Sequence, residues 1–348
     1  MPFQENVIVK KVSIKDVALK AGVSIASVSY VLNNKPNGRI GKETTEKVIK
    51  AAEELNYRAN TAAKNLKTQR TNIIGLIVAD IANPYFSQIA RIIENEATKK
   101  GYTLIIGSSD ENKEKFESLV SMFYHRQAEG LIIAPVENSE ACLQKLQKQN
   151  IPFVFIDRYL PKIKADNIQI NNYDISYNVT QHLIKEKRSN ILLVAYDTTL
   201  DHLMQRTQGF KDALKKYNIL CNDYNVLNIN KDHIDQDIDQ GFSTIFQSKN
   251  KPDAVFFVSN KLAVSGLKKL MKLGIAIPAD LAVVAFDETE AYELFSVPLS
   301  YVSQPLTDIG ISAVELIHNK ITDPLLPIKN ITLEAQMHIK ASSKSNNL

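Results

Sequence analysis

Polar residues gather where apolar runs end in the body of this 348-residue chain. Asp80, with Asn83-Pro84-Tyr85-Phe86 behind it, closes the run from Ile73, and Ser108-Ser109-Asp110 closes the run from Tyr102. Asp157-Arg158 follows Phe153–Ile156, Asn260 ends the run from Ala254, and Asp287-Glu288 ends the run from Leu281. Carboxylates, amides and a guanidinium among aromatic rings suit a hydroxylated ligand. Each hydroxyl both donates and accepts, and the C–H face of a sugar packs on a ring. A phosphate ligand calls for a glycine-rich turn, and there is no GxGxxG or Walker sequence. Catalysis finds no purchase either. His125, His182, His202, His233, His318 and His338 are scattered, without HExxH, and no GxSxG elbow is present. No catalytic residue, metal or cofactor is therefore expected.

A second group of residues could read bases. Ile14 to Asn33 reads as two short helices around a tight turn. Val17, Ala18 and Ala21 share one face of the first. Gly22 supplies the positive φ of the turn, Val23 plugs the corner, and Ser24 is placed to cap the second helix. Val28, Val31 and Leu32 face inward, leaving Ile25, Ala26, Ser27, Ser29 and Tyr30 outward. This is a helix-turn-helix pattern, whose second helix enters a major groove. The plainer alternative is a helical hairpin with an ordinary apolar face. A third amphipathic helix is expected over Lys42–Leu55, with Val48, Ile49, Ala52 and Leu55 inward, and a short fourth over Asn60–Lys67.

The elements that must position the strand-end residues follow from Asn72 onward. Short apolar runs at Ile73–Asp80, Tyr102–Ser108, Gly130–Pro135, Phe153–Asp157, Ile191–Tyr196, Ala254–Ser259 and Leu281–Asp287 alternate with helical stretches. Those stretches include Tyr85–Lys100, Lys113–Arg126, Ser176–Lys187, Arg206–Tyr217 and Leu262–Leu273. Continuous apolar strands separated by helices imply parallel sheets covered on both faces, and so many strands imply two doubly wound sheets. Ligands of such sheets bind beyond the C-terminal strand ends.

Charge separates the two parts. Residues 1–70 carry 13 Lys/Arg against 6 Asp/Glu, a balance of +7 within a chain of net +4. A basic head on a mildly acidic body points to a polyanion partner, with a solvated basic face as the alternative. Residues 1–11 hold Lys10 and Lys11 but no apolar core of signal-peptide length, and no run could cross a bilayer, so a cytoplasmic protein without membrane contact is expected. Cys142 and Cys221 offer no disulfide framework or metal spacing.

The segments VSIKDVALKAGVS.ASVS.VLN, KETTEKVIKAAEELNYR.N and NLKTQRT resemble the DNA-binding headpiece of the lactose-repressor (LacI/GalR) family of bacterial transcription regulators. NIIGLIVADIANPYFSQIARIIENEATKKGYTLIIGSSDENKEKF, IPFVFIDRYL, QRTQGFKDALKKYNI, KPDAVFFVSN, GIAIPADLAVVAFDE and YVSQPLTDIG are similar to its later landmarks in order, so the likeness covers nearly the whole chain. The resemblance implies an all-α headpiece on an α/β core of two parallel-sheet lobes, like periplasmic sugar-binding proteins, with an effector between them. Expected boundaries are a headpiece over 1–58, a hinge helix and linker over 59–71, a core over 72–342 and a polar tail over 343–348. Within the core, one lobe takes about 72–160 and 292–323, the other about 161–291 and 324–342. The crossovers would lie near Pro161, near Ala291–Pro298 and near Pro324–Pro327.

The resemblance also assigns roles. Ser24, Ile25, Ala26, Ser27, Ser29, Tyr30 and Asn33 would face DNA, and Leu66 would wedge into the minor groove with Ala63 and Lys64 flanking. The chain departs from the family at Tyr30, where arginine is common, so the family's usual operator does not carry over. Pro36-Asn37-Gly38-Arg39 lengthens the next loop, and Gly41 stands where serine usually caps. Arg206, in a QR..GF pattern, would clamp ligand hydroxyls, and Asp287 and Asn260 would accept or donate beside it. Lys261 replaces the acidic residue usual after Asn260, which changes the pocket charge. Asp80, Phe86, Asp157 and Gln304 complete the candidate effector set, the last three serving equally well as structural groups. The function implied is a dimeric, ligand-responsive regulator, in sense a repressor, on a palindromic operator, with a sugar-like effector. A Rossmann-like enzyme and a solute receptor without regulatory role are the competing classes. The absent glycine loop and the added basic head weigh against them.

Overall fold

The computed structural model of the chain describes residues 12–32, 40–57, 70–221 and 225–345. It divides into two compact units, residues 1–70 and 71–348.

In the first unit the described residues form helices Ile14–Ala21, Ile25–Leu32 and Lys42–Glu54. Ser13 opens the first, its backbone N–H and hydroxyl both donating to the Asp16 carboxylate at 2.8 Å. Gly22 ends it at φ 67°, and the Val23 amide returns to the Ala18 carbonyl at 3.0 Å. Ser24 Oγ accepts from the Ser27 amide at 3.0 Å, capping the second helix. Val17, Ala18, Val28, Val48, Ala51 and Ala52 make the small core. Ile49, expected inward, is 43% exposed, and Ala51 takes its place because the third helix turns a narrower, smaller face to the other two. The expected helix over 60–67 and the lengthened loop at 36–39 lie outside the described residues.

The second unit holds two six-stranded sheets. In chain order the strands are β1 Ile73–Val78, β2 Thr103–Ser108, β3 Gly130–Ile133, β4 Phe153–Ile156, β5 Asp166–Ile170 and β6 Ile191–Tyr196. Then come β7 Val226–Ile229, β8 Ala254–Phe257, β9 Ala282–Phe286, β10 Ser300–Ser303, β11 Asn330–Leu333 and β12 Gln336–His338. The first lobe has the order β11-β5-β4-β3-β1-β2, all parallel; the second has β12-β10-β9-β8-β6-β7, with only β12 antiparallel. Alternate residues of β1 serve opposite faces. Ile77 joins Phe116, Phe123 and Leu143 on one side, while Ile74, Leu76 and Val78 join Ile89 and Ile93 on the other. Asn83 caps the helix Pro84–Lys99 by accepting from the Tyr85 amide at 3.1 Å, with Pro84 in the first turn where no donor is missed. No helix among the described residues is long and apolar enough to cross a membrane.

The crossovers fall later than expected. The chain passes between lobes after β5, after β10 and after β11. Pro161 marks only a turn before β5, which pairs with β4 through Val154 and Asp166. Ala291 to Pro298 contains a 3-10 turn, Glu290–Leu294, that leads into β10 of the same lobe. Pro324 and Pro327 precede β11, which joins β5 of the first lobe. Prolines punctuate the turns here, and strand pairing sets the lobe boundary.

Candidate functional site

The helices Asn172–Lys185 and Asp201–Lys216 approach closely at Gly209, where an added Cβ would stand 2.3 Å from the Tyr173 carbonyl oxygen. That approach sets Arg206 against Asn172. Arg206 Nε donates to Asn172 Oδ1 at 2.8 Å and Nη1 donates to the Val258 carbonyl at 2.7 Å. The guanidinium carbon lies 3.6 Å from the Phe286 ring centroid. Arg206 is thus buried and held by neutral groups. Burial lowers its pKa, and the charges of Asp287 and Asp157 oppose that. Arg206 does not start its helix as expected; Asp201 to Gln205 already form its first turn.

Two aspartates flank this guanidinium from opposite lobes. Asp157 follows β4 at φ 66° and Asp287 follows β9 at φ 64°, a backbone region that Asp tolerates better than most residues. Each turn swings a carboxylate off its strand end. Asp287 accepts from Gln304 Nε2 at 2.6 Å; burial raises its pKa, while Arg206 and Gln304 pull it down. Asp157 accepts from Arg158 Nε at 3.2 Å, and Arg158 makes a two-pronged pair with Glu111 at 2.9 and 3.0 Å.

Asp80, Phe86, Asp157, Arg206, Asp287 and Gln304 all line one cavity of about 280 Å³ at the C-terminal strand ends of both lobes. Asn260 does not. It sits behind the wall, donating to Asn83 Oδ1 at 2.8 Å and supporting Asp287 through its backbone amide. Lys261, its neighbour, does reach the cavity and pairs with Asp80 at 2.5 Å.

The sequence reading did not assign roles to Tyr85, Asn172 or His202. Tyr85 and His202 line the cavity, each 5% exposed, and each leaves a polar atom unpartnered. The Tyr85 hydroxyl faces the Asp157 carboxylate without closing a bond of good geometry; burial, then the charges of Asp157 and Asp287, hold it well above its usual pKa. His202 Nδ1 has no partner, and burial, with Arg158 and Arg206 nearby, holds the ring well below its usual pKa, hence neutral. Such groups give no periodic signal. The one available hint was Tyr85 beside Phe86 at a helix start just beyond a strand end.

In the headpiece, Ser24, Ile25 and Ala26 are exposed along the second helix, and Ser27, Ser29 and Tyr30 are half-buried. Val28 alone of that helix is fully buried. Asn33, Ala63, Lys64 and Leu66 lie outside the described residues.

Residues 13–60 match the model of bacterial regulatory proteins of the lacI family, and residues 180–343 match a periplasmic binding protein-like domain. The chain is 32% identical over 312 residues to the HTH-type transcriptional repressor PurR of Vibrio vulnificus, covering 89% of this chain and 92% of that one. It is 29% identical over 333 residues to catabolite control protein A of Staphylococcus xylosus, covering 96% and 99%. The fold is similar to that of the lac repressor dimer bound to operator and an anti-inducer, with TM-score 0.83 at 22% identity over 97% of this chain and all of that one. It is also similar to that of a CelR–cellobiose complex, with TM-score 0.71 at 22% identity over 95% and 100%.

Proposed function

Because the chain belongs to the lacI family of bacterial regulatory proteins, we propose that it binds a palindromic operator as a homodimer and takes a carbohydrate-like effector between its lobes. The chain is a transcription regulator with a periplasmic-binding-protein-like ligand domain, and the relatives it matches include the HTH-type transcriptional repressor PurR.

One observation carries the finer reading. Arg206, Asp157 and Asp287 come from distant parts of the chain and meet at one cavity, with the guanidinium fixed on neutral partners and a ring. Fixed donors beside fixed acceptors suit adjacent hydroxyls, each of which donates and accepts. The similar folds of a sugar complex and of a repressor on its operator support the same assignment.

The dimer follows from recognition chemistry. One helix-turn-helix touches too few base pairs for useful specificity, and a two-fold pair reads a palindrome. Ligand in the cleft favours one lobe arrangement, and coupling of this kind is about 1–3 kcal/mol and reciprocal. The test is selection of a site from random DNA, then sedimentation of the complex. Two chains on a palindrome, with affinity falling steeply as salt rises, is the expected outcome. Unchanged binding after deletion of residues 1–70 would overturn it.

A further inference from the structure

Resting on the reading of the cavity as a sugar site, we infer that its effector is an unphosphorylated, neutral or cationic sugar of about one ring, and that phosphorylated sugars are rejected. The walls carry eight carboxylates against four cations. Three of the four cations are already ion-paired. Arg158 is held by Glu111 and Asp157, Lys261 by Asp80 and Lys231 by Asp232. Arg206 lies between the fields of Asp287 and Asp157. A phosphate would bring two more negative charges into a partly buried space that already has a surplus of them, where the one cation without an ion pair, Arg206, already lies in the fields of Asp287 and Asp157.

The unpartnered atoms point the same way. The Tyr85 hydroxyl and His202 Nδ1 are buried at the cavity and unsatisfied, and such groups are costly unless something bonds them. A neutral imidazole and a phenol offer single donors or acceptors, which match hydroxyls one to one. The carboxylates that are not ion-paired are equally suited. Asp287 and Glu137 bond only to neutral partners, Gln304 for the first and Thr198 and Thr199 for the second, and keep lone pairs for ligand O–H or N–H groups. At about 280 Å³ the space is at the small end for ligand pockets, which favours a single ring over a longer chain.

The experiment uses the full-length protein and matched probes: glucose, galactose, ribose and glucosamine against their terminal phosphates, with inorganic phosphate as control. Thermal shift finds binders and calorimetry gives each Kd. Binding of an unphosphorylated member at least tenfold tighter than its phosphate is the expected result. Asp110→Asn and Asp197→Asn, which each remove one negative charge from a cavity-lining carboxylate that is given no ligand contact, should narrow that ratio severalfold while leaving the neutral sugar bound. A phosphate that binds as tightly as its parent sugar, or inorganic phosphate raising the melting temperature in wild type but not in Arg206→Ala, overturns the inference and leaves the cavity a sugar site. No response to any of the probes overturns the sugar-site reading itself.

Discussion

Lys261 Nζ donates to Asp80 Oδ2 at 2.5 Å, and this ion pair joins the second lobe to the first at the rim of the cavity. Beside it Asn260 donates to Asn83 at 2.8 Å. At another point of the cleft, Glu137 of the first lobe accepts from the Thr198 hydroxyl at 2.6 Å and from the Thr199 amide at 2.7 Å. The lobes are therefore tied by their own side chains at more than one place. A residue that departs from the family pattern, Lys261, supplies one of the ties.

Removing that tie should alter lobe closure more than stability. Lys261 is 48% exposed, and pairs of this kind contribute about 0–1 kcal/mol. Lys261→Ala should lower the unfolding free energy by less than about 1 kcal/mol while lengthening the inter-lobe distance seen by energy transfer between labels. Raised salt should reproduce the change in wild type. An unchanged distance in both would show that the pair does not restrain the lobes.

The close helix approach gives a larger effect. Gly209→Ala would force a Cβ to within 2.3 Å of backbone, where no flexible side chain can yield. The helices must part, costing about 1–3 kcal/mol or more, and the Arg206–Asn172 bond should weaken with them. Calorimetry of the purified variant checks this. Wild-type stability with unchanged ligand affinity would contradict the packing argument.

His202 supplies a pH dependence. Its native pKa lies well below the ordinary 6.5, so on acidification the unfolded chain takes up the proton first. Stability from the neutral ring is complete above about pH 6.5 and declines as pH falls toward the native value, by at most about 1.4 kcal/mol per unit. His202→Gln should lose less stability than wild type between about pH 7 and about pH 5. Parallel pH profiles would mean that the ring is not held neutral.

Tyr30 tests the base-reading face. Tyr30→Ala should lower affinity for the selected operator by about 1–3 kcal/mol and hardly touch binding to random DNA. Equal losses on both would place Tyr30 in packing or backbone contact.

Seven strands could be read from the sequence because β1, β2, β3, β4, β6, β8 and β9 consist of unbroken or nearly unbroken apolar runs. The rest were not. β5, Asp166–Ile170, opens with two polar residues that tie it to its sheet neighbour β11: Asn167 donates to Asn330 and Asp166 accepts from the Lys329 amide. β7, β11 and β12 lie at sheet edges and are too short or too polar to stand out. The same limit applied to the site. Asp157 and Asp287 were visible as polar residues ending apolar runs, whereas Asn172 and His202 lie within helices and look like solvent-facing residues until tertiary packing buries them. Asn260 ended a run in the same way, yet its side chain turned to Asn83, a choice that only the second lobe's neighbour determines.

The central claim is that the cavity between the lobes senses a ligand that controls DNA binding by the headpiece. Its most direct test is titration of operator binding with the sugar that raises the melting temperature, in wild type, Arg206→Ala and Asp287→Ala, with circular dichroism to verify folding. Loss of a charge-assisted bond to a hydroxyl costs about 1.5–3 kcal/mol, so each variant should need roughly ten- to a hundredfold more sugar while binding operator normally without it. Folded variants that both respond at the wild-type sugar concentration would contradict the account.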